Sequence, residues 1–186
     1  MTSAVSMPEG GSGGLAMPSP ETLRKIEEFQ AWGLSLPREQ QVNPPIEHSL
    51  HGGMYARTVR IPAGTIGVGA TVRVTTQVIL NGHCLFNNGD QLIEFEGFHV
   101  LKGIPGRKQM VFALSDTQIT AIHRTDAKTI EEAENEAAGE EAELLSTRRF
   151  EGELLGNGHR RGVGCRRDGG EQPGAGEAAE EGEPDS

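Results

Sequence analysis

A period-two alternation of apolar and polar residues, interrupted by turn residues at short intervals, dominates the middle of the chain. It begins at Met54–Ile61 and returns in Gln91–Phe95, Phe98–Leu101, Met110–Leu114 and Ile119–Ile122. Successive side chains of a β-strand point to opposite faces, so this pattern is typical of half-buried strands. Many short strands separated by evenly spaced turns predict a β-sandwich or a β-barrel.

A further strand is predicted from Ala70 to Leu80, where valine and threonine are frequent. The dipeptide Asn81-Gly82 is typical of a two-residue hairpin, so it predicts that this strand ends there. The turns after it are marked by Asn88-Gly89-Asp90, Pro105-Gly106 and Ser115-Asp116. The predicted β core covers residues 46–125.

The N-terminal segments are predicted to form a disordered arm, a short helix and a linker. Residues 1–18 are mainly small, with one acid, and predict a disordered arm. Residues 19–33 predict a short amphipathic helix, because Ser19 suits the N-cap and Pro20 the first helical position. The apolar face of this helix consists of Leu23, Ile26, Phe29 and Trp32. We expect this face to dock on the protein's own core, with a partner protein as the alternative. The prolines of residues 34–45 indicate a linker.

The C-terminal third is acidic. Residues 126–146 predict a helix capped by Thr125-Asp126, with a weak apolar stripe and a glycine at position 139. Residues 147–186 contain many Gly, Glu and Arg residues and almost no apolar ones, which predicts a disordered tail.

The charge and the cysteines restrict the class of protein. The net charge of -10 argues against general nucleic-acid binding and against attraction to anionic membranes, both of which need a basic surface. Cys84 and Cys165 fall in the predicted core and tail, which makes a disulfide between them a poor fit and favours a reducing cytoplasm. No signal peptide or membrane-spanning run is evident, so we expect a cytoplasmic protein.

No catalytic signature stands out. The glycine-rich stretch Gly64–Gly69 lacks the Lys-Ser/Thr pair of a P-loop, and there is no G-x-S-x-G elbow. His48 and His51 precede a Gly-Gly pair, which disfavours a helical metal site. If a metal is bound, the candidates are His83, which adjoins Cys84, and the strand residues His99 and His123, although each also suits an ordinary turn or core position.

Three segments together resemble a known family. They are Tyr55–Thr65, Gly103–Gln109, and Ala121–Asp126 with the acidic stretch after it. In order and spacing they are similar to small cupin-like proteins of tailed bacteriophages and prophages, over about residues 48–135. The resemblance implies a single antiparallel β-barrel of jelly-roll type, in a host-cell cytoplasm or associated with a virion.

The chain departs from the metal-binding members of that family. Those cupins place two histidines and an acid on the strand after a Pro-Ala-Gly-type turn, and a further histidine after a Pro-x-Gly-like turn. Here the first strand reads Val72-Arg73-Val74-Thr75-Thr76, and the second position reads Arg107-Lys108-Gln109. The resemblance therefore implies a barrel filled by valine and threonine, with no metal, no cofactor and no catalytic residue carried over from the family.

Three functions follow as hypotheses. The favoured one is a non-enzymatic phage or prophage structural or protein-interaction module that forms a homo-oligomer and contacts a phage or host protein. The first alternative is a small-ligand binder or a degenerate metal-dependent cupin enzyme, whose barrel mouth would use His83, His99 and His123 with Glu94 or Glu96. The second is a phage inhibitor of a host protein, with an acidic tail that mimics nucleic acid.

Overall fold

The computed structural model describes residues 5–7 and 13–145. The predicted tail at 147–186, which contains His159 and Cys165, lies outside these residues, as do residues 1–4 and 8–12 of the predicted arm. None of the described helices is long and apolar enough to cross a membrane.

Strands contain more of the described residues than helices do. They are β1 (Val5–Met7), β2 (Gly14–Leu15), β3 (Ile46–His51), β4 (Met54–Ile61), β5 (Ile66–Val68), β6 (Thr76–Asn88), β7 (Gln91–Gly103), β8 (Met110–Ala113) and β9 (Thr117–Arg124). The α-helices are α1 (Pro20–Ser35) and α2 (Ile130–Ala138), and short 3-10 helices cover Arg38–Gln40 and Gly139–Leu144. The prediction of a mainly β fold with a helix on each side is confirmed.

Two long strands organise the sheet. β6 and β7 are antiparallel partners from Thr76↔Gly103 to Asn88↔Gln91, where a tight turn joins them. On its other edge, β6 pairs with β9 over residues 77–81 and with β8 over residues 84–86. The strands β4 and β3 continue outward from β9, whereas β5 continues from β8. The two halves of β6 therefore belong to two different sets of strands.

The change between these sets occurs at Gly82, which faces Gly97 of β7. Gly82 has a φ of +141°, and a Cβ built there would lie 2.6–2.8 Å from atoms of Thr117 and from the carbonyl oxygen of Asp116. The predicted hairpin at Asn81-Gly82 is therefore wrong: the glycine permits a close approach inside a strand and does not end it. As a result β6 continues to Asn88, and the two strands predicted between residues 91 and 101 are one.

The main core lies between the long strands and their neighbours. On β6 the buried residues alternate with more exposed ones, as expected for a strand with one face inward. The cluster consists of Leu15, Ile61, Val78, Leu80, Cys84, Phe86, Ile93, Phe95, Leu101, Val111 and Ala113.

The N-terminal segment adds to this core. β1 and β2 both pair in parallel with β7, and the Leu15 side chain is only 2% exposed. The Asn88 and Asp90 side chains accept hydrogen bonds from the backbone N–H groups of Ala16 and Ser19. The predicted disordered arm is therefore wrong for the described residues, because β7 offers a free edge and the core has room for Leu15.

The flanking helices differ from the prediction at their ends. Ser19 caps α1 as predicted, through its side chain and the Thr22 N–H. The predicted cap of the second helix at Thr125-Asp126 is wrong, because Thr129 and Glu132 form a complete capping box four residues later. That helix ends before Gly139, whose φ is +59°. Two further strands, β3 and β5, lie where no strand was predicted.

Candidate ligand-binding site

A cavity of about 600 Å³ lies between the inner face of the sheet and the two flanking helical segments. Its walls include residues of β4, β5, β6, β8 and β9. The second half of α1 and the linker after it cover one side, and α2 with its following 3-10 helix covers another. The volume falls within the range of small-molecule sites in proteins, about 300–1,000 Å³.

Apolar side chains form most of the wall. The strands contribute β-branched residues that the period-two pattern turns inward, whereas the helical segments contribute larger side chains. The apolar lining includes Val59, Ile61, Val78, Val111 and Ile119 from the strands, and Phe29, Trp32, Leu34, Leu36, Leu144 and Leu145 from the helical segments. Such a surface suits a molecule with an apolar body.

A polar group connects α2 to β4 at one end of the cavity. The Glu134 carboxylate, only 3% exposed, accepts a 3.4 Å hydrogen bond from the Tyr55 hydroxyl and lies 3.7 Å from Arg57 Nε. His48 Nδ1 is 2.8 Å from the same hydroxyl. Burial lowers the pKa of Arg57, although Tyr55 and Glu134 oppose this effect. The cationic side chain of Arg57 thus has a buried carboxylate beside it.

Arg107 also lines the cavity, but without such a carboxylate. Its side chain is 1% exposed, and it donates hydrogen bonds to the Thr76 hydroxyl at 2.5 Å and to the Ile104 carbonyl at 2.9 Å. No carboxylate of the described residues forms an ion pair with it, and its buried Nε has no hydrogen-bond partner there. Burial lowers the pKa of Arg107 to about 10, so the guanidinium is charged at neutral pH.

Two more polar side chains line the same cavity with a buried nitrogen that lacks a partner among the described residues. They are Gln109, through Nε2, and His123, through Nε2. Burial lowers the pKa of His123, with Glu136 opposing, so the imidazole is neutral at pH 7. A neutral imidazole either donates or accepts a hydrogen bond at that nitrogen.

The histidines predicted as candidate ligands do not meet. Only His123 lines the cavity; the half-buried His83 forms a 2.7 Å contact with Glu94, and His99 is fully buried with Nε2 2.8 Å from the Glu96 carbonyl oxygen. Within residues 13–145, no three side chains of His, Cys, Asp or Glu are grouped closely enough to hold a metal ion. The expectation of no metal and no cofactor stays a prediction.

The strand predicted from Ala70 to Leu80 is wrong for residues 70–75, because β6 begins at Thr76 and the residues before it form only an isolated bridge between Val72 and Arg107. Of the valine and threonine residues expected to fill the barrel, Val72 and Thr76 line the cavity, although Val74 does not. In the sequence, only the family resemblance singles out the segment Arg107-Lys108-Gln109. The signal in the sequence is the pair Arg107-Lys108 within a β region. Both side chains are buried at 1% exposure, and Lys108 forms a hydrogen bond with Glu141.

Comparisons with known proteins find similarity among solved structures. No family model matches the chain, and no curated protein matches it either. Solved structures do, among them a Cupin_2 domain of an XRE family transcriptional regulator from Enterobacter cloacae, at 8% identity over 44% of this chain and 97% of that one, with a TM-score of 0.38. An RmlC-like cupin protein from Desulfovibrio desulfuricans gives 20% identity, 48% and 90% coverage, and a TM-score of 0.36.

A cupin superfamily protein from Desulfitobacterium hafniense is similar at 18% identity, over 59% of this chain and 95% of that one, with a TM-score of 0.37. All three TM-scores are below 0.5, so the function of this chain follows from its own residues.

Proposed function

We propose that the protein binds a small molecule with an apolar body in the cavity between the sheet and the helical segments. The observation that carries this proposal is the cavity itself, which is about 600 Å³ in volume and has mainly apolar walls. The cavity opens to solvent, since the lining residues Trp32 and Ile66 are 56% and 47% exposed, so water contacts its apolar walls when no ligand is bound. A bound apolar molecule would displace this water, which is favourable.

The polar residues of the lining also favour a ligand-binding site over a region that is merely loosely packed. Polar nitrogens of Arg107, Gln109 and His123 are buried without a partner in the described chain. Buried polar groups are usually satisfied, and leaving one unsatisfied costs about 1–3 kcal/mol. An apolar site with a few convergent polar groups is the usual composition of a small-molecule site.

The single tryptophan of the chain gives a direct assay. Trp32 lines the cavity and is 56% exposed, so an apolar molecule bound there changes its fluorescence. We expect saturable changes on titration with 1-decanol or decanoate, and a one-to-one adduct in native mass spectrometry. The phenylalanine of Ala121→Phe would occupy the cavity, because Ala121 lines it, and the variant should lose both signals.

The matched control is Ala31→Phe, which adds the same side chain at an exposed position of α1 outside the cavity lining. It should bind like the parent protein. Equal binding by the Ala121→Phe variant, with an unchanged circular dichroism spectrum, would remove the cavity as the binding site.

A second candidate is the structural or protein-interaction module that the sequence favours. Exposed large apolar side chains on the described surface support it, among them Phe98 at 54% and Ile104 at 47%. Such residues are enriched at protein interfaces when they form a patch. Native mass spectrometry of the unliganded chain tests it: a stable homo-oligomer supports it, and a monomer at micromolar concentration contradicts the self-association. The origin in a phage or prophage, the partners and the cytoplasmic or virion location stay predictions.

A further inference from the structure

Three cationic side chains are partly or fully buried around the cavity, and one of them differs from the others. Arg57 lies 3.7 Å from the Glu134 carboxylate, and Lys108 lies 2.5 Å from the Glu141 carboxylate. Arg107 is as deeply buried as Lys108, yet its hydrogen-bond partners among the described residues are two neutral oxygens, of Thr76 and Ile104. A buried charge normally has an opposite charge beside it, because its desolvation costs several kcal/mol.

We infer that the molecule bound in the cavity carries one carboxylate, which the Arg107 guanidinium binds. This inference rests on the proposed function and adds to it the chemical class of the ligand. It assigns to an external anion the role that Glu134 and Glu141 have toward the other two cations.

The N–H donors of Arg107 that make no hydrogen bond with the described residues suit a carboxylate. A guanidinium has five N–H donors in a planar fork, and the two hydrogen bonds in the structure use one N–H on each terminal nitrogen. Nε, which has no partner in the described chain, and one N–H on each terminal nitrogen therefore remain. Two parallel N–H donors on one edge match the two oxygens of a carboxylate.

The charge in the cavity favours a monoanion. Arg107 contributes one positive charge that no carboxylate of residues 13–145 compensates, and His123 is neutral at pH 7 because burial lowers its pKa. A carboxylate would neutralise this charge, whereas a phosphate dianion would leave a negative charge in an apolar site. The amide N–H of Gln109 is a further donor on the cavity wall that has no partner in the part of the chain that the structure describes. A monocarboxylate with an apolar body therefore satisfies both the walls and the charge.

The experiment compares decanoate with 1-decanol, which share an apolar chain and differ in charge. Binding is measured by Trp32 fluorescence and calorimetry at pH 7 with the full chain. We expect decanoate to bind the parent protein roughly tenfold to a hundredfold more tightly than 1-decanol, as for hydrogen bonds to a charged group. In Arg107→Gln this preference should disappear, while binding of 1-decanol persists.

Arg124→Gln is the matched control. It removes the same charge from an exposed side chain that does not line the cavity, and it should keep the preference for decanoate. Because Arg107 also bonds to Thr76 and Ile104, the glutamine variant is first checked by circular dichroism. Should it fail to fold, Gln109→Leu gives an independent test: it should weaken decanoate severalfold and leave 1-decanol unchanged.

The outcomes separate this inference from the proposed function. Equal affinity of the parent protein for the two compounds, or a preference kept in Arg107→Gln, would overturn the carboxylate assignment and leave the apolar site standing. Absence of binding by both compounds would overturn the proposed function, and the carboxylate assignment with it.

Discussion

Replacing Gly82 by alanine tests whether this glycine forms the corner between the two sets of strands. The new Cβ would lie 2.6 Å from Thr117 Oγ1, 2.7 Å from Thr117 Cα and 2.8 Å from the Asp116 carbonyl oxygen. Two of these atoms belong to the backbone, so they cannot move aside by changing a rotamer. The residue would also have to keep a φ of +141°, which is unfavourable for any L-residue with a side chain.

The expected cost is the sum of these two effects. A backbone conformation of this kind costs about 1–3 kcal/mol, and a core overlap that forces a backbone shift costs typically another 1–3 kcal/mol. The free energy of unfolding should therefore fall by about 2–6 kcal/mol. With a urea m-value of about 2 kcal/mol/M, the midpoint of unfolding would move down by roughly 1–3 M.

The assay is urea denaturation at 25 °C followed by far-ultraviolet circular dichroism. The control is Gly64→Ala, because Gly64 also has a positive φ, +77°, but no atom lies within 4 Å of its added Cβ. This variant should lose only the backbone preference, about 1 kcal/mol. If Gly82→Ala lowers the midpoint no more than Gly64→Ala does, the close approach to Thr117 is not a feature of the fold.

Two further predictions concern the segments that flank the β core. Leu15→Ala should lower the free energy of unfolding by about 2–5 kcal/mol, because the side chain is buried in the main core; a change below 0.5 kcal/mol in urea denaturation would mean that β2 is not docked. Burial alone would raise the pKa of Glu141, but its hydrogen bonds with Lys108 and Thr71 outweigh this and lower the pKa below 4.5. The stability that the ionised carboxylate contributes is present above about pH 4.5 and is lost as the pH falls through the lowered pKa. Glu141→Gln should therefore lower the free energy of unfolding by about 1–3 kcal/mol at pH 7. At low pH the variant should be as stable as the parent protein. A difference in melting temperature that does not change between pH 7 and pH 3 would contradict this reasoning.

The period-two pattern predicted the strands where one face is buried and the other is not. The strand at Met54–Ile61 was predicted to the residue, and the strands near residues 110 and 119 to within about two residues. Asn81-Gly82 failed because the dipeptide supplies a positive φ either to a turn or to a close contact inside a strand, and only the position of Thr117 distinguishes them. Leu15 gave no periodic signal, since a single buried residue has no period.

The candidate site was less accessible from the sequence than the fold. Arg57, Arg107, His123 and Glu134 come from four separate segments, and a strand register shifted by one residue would place each strand residue on the opposite face. Whether a buried arginine has a carboxylate beside it depends on tertiary neighbours: Glu134 comes from a helix far along the chain. The sequence could therefore indicate an Arg-Lys pair in a β region, but not which of the two lacks a countercharge.

The long hairpin of β6 and β7 also bears on how fast the molecule assembles. Its partners are close in sequence around the Asn88–Gln91 turn, whereas β1 and β2 join β7 in parallel across most of the N-terminal half of the chain. Local pairings close small loops and form within microseconds, and distant parallel pairings form slowly. We therefore expect the hairpin to form first and to serve as the template on which β9, β8 and the N-terminal strands are added. The cavity would then be completed last, because its walls include residues of α1, α2 and strands on both sides of the hairpin.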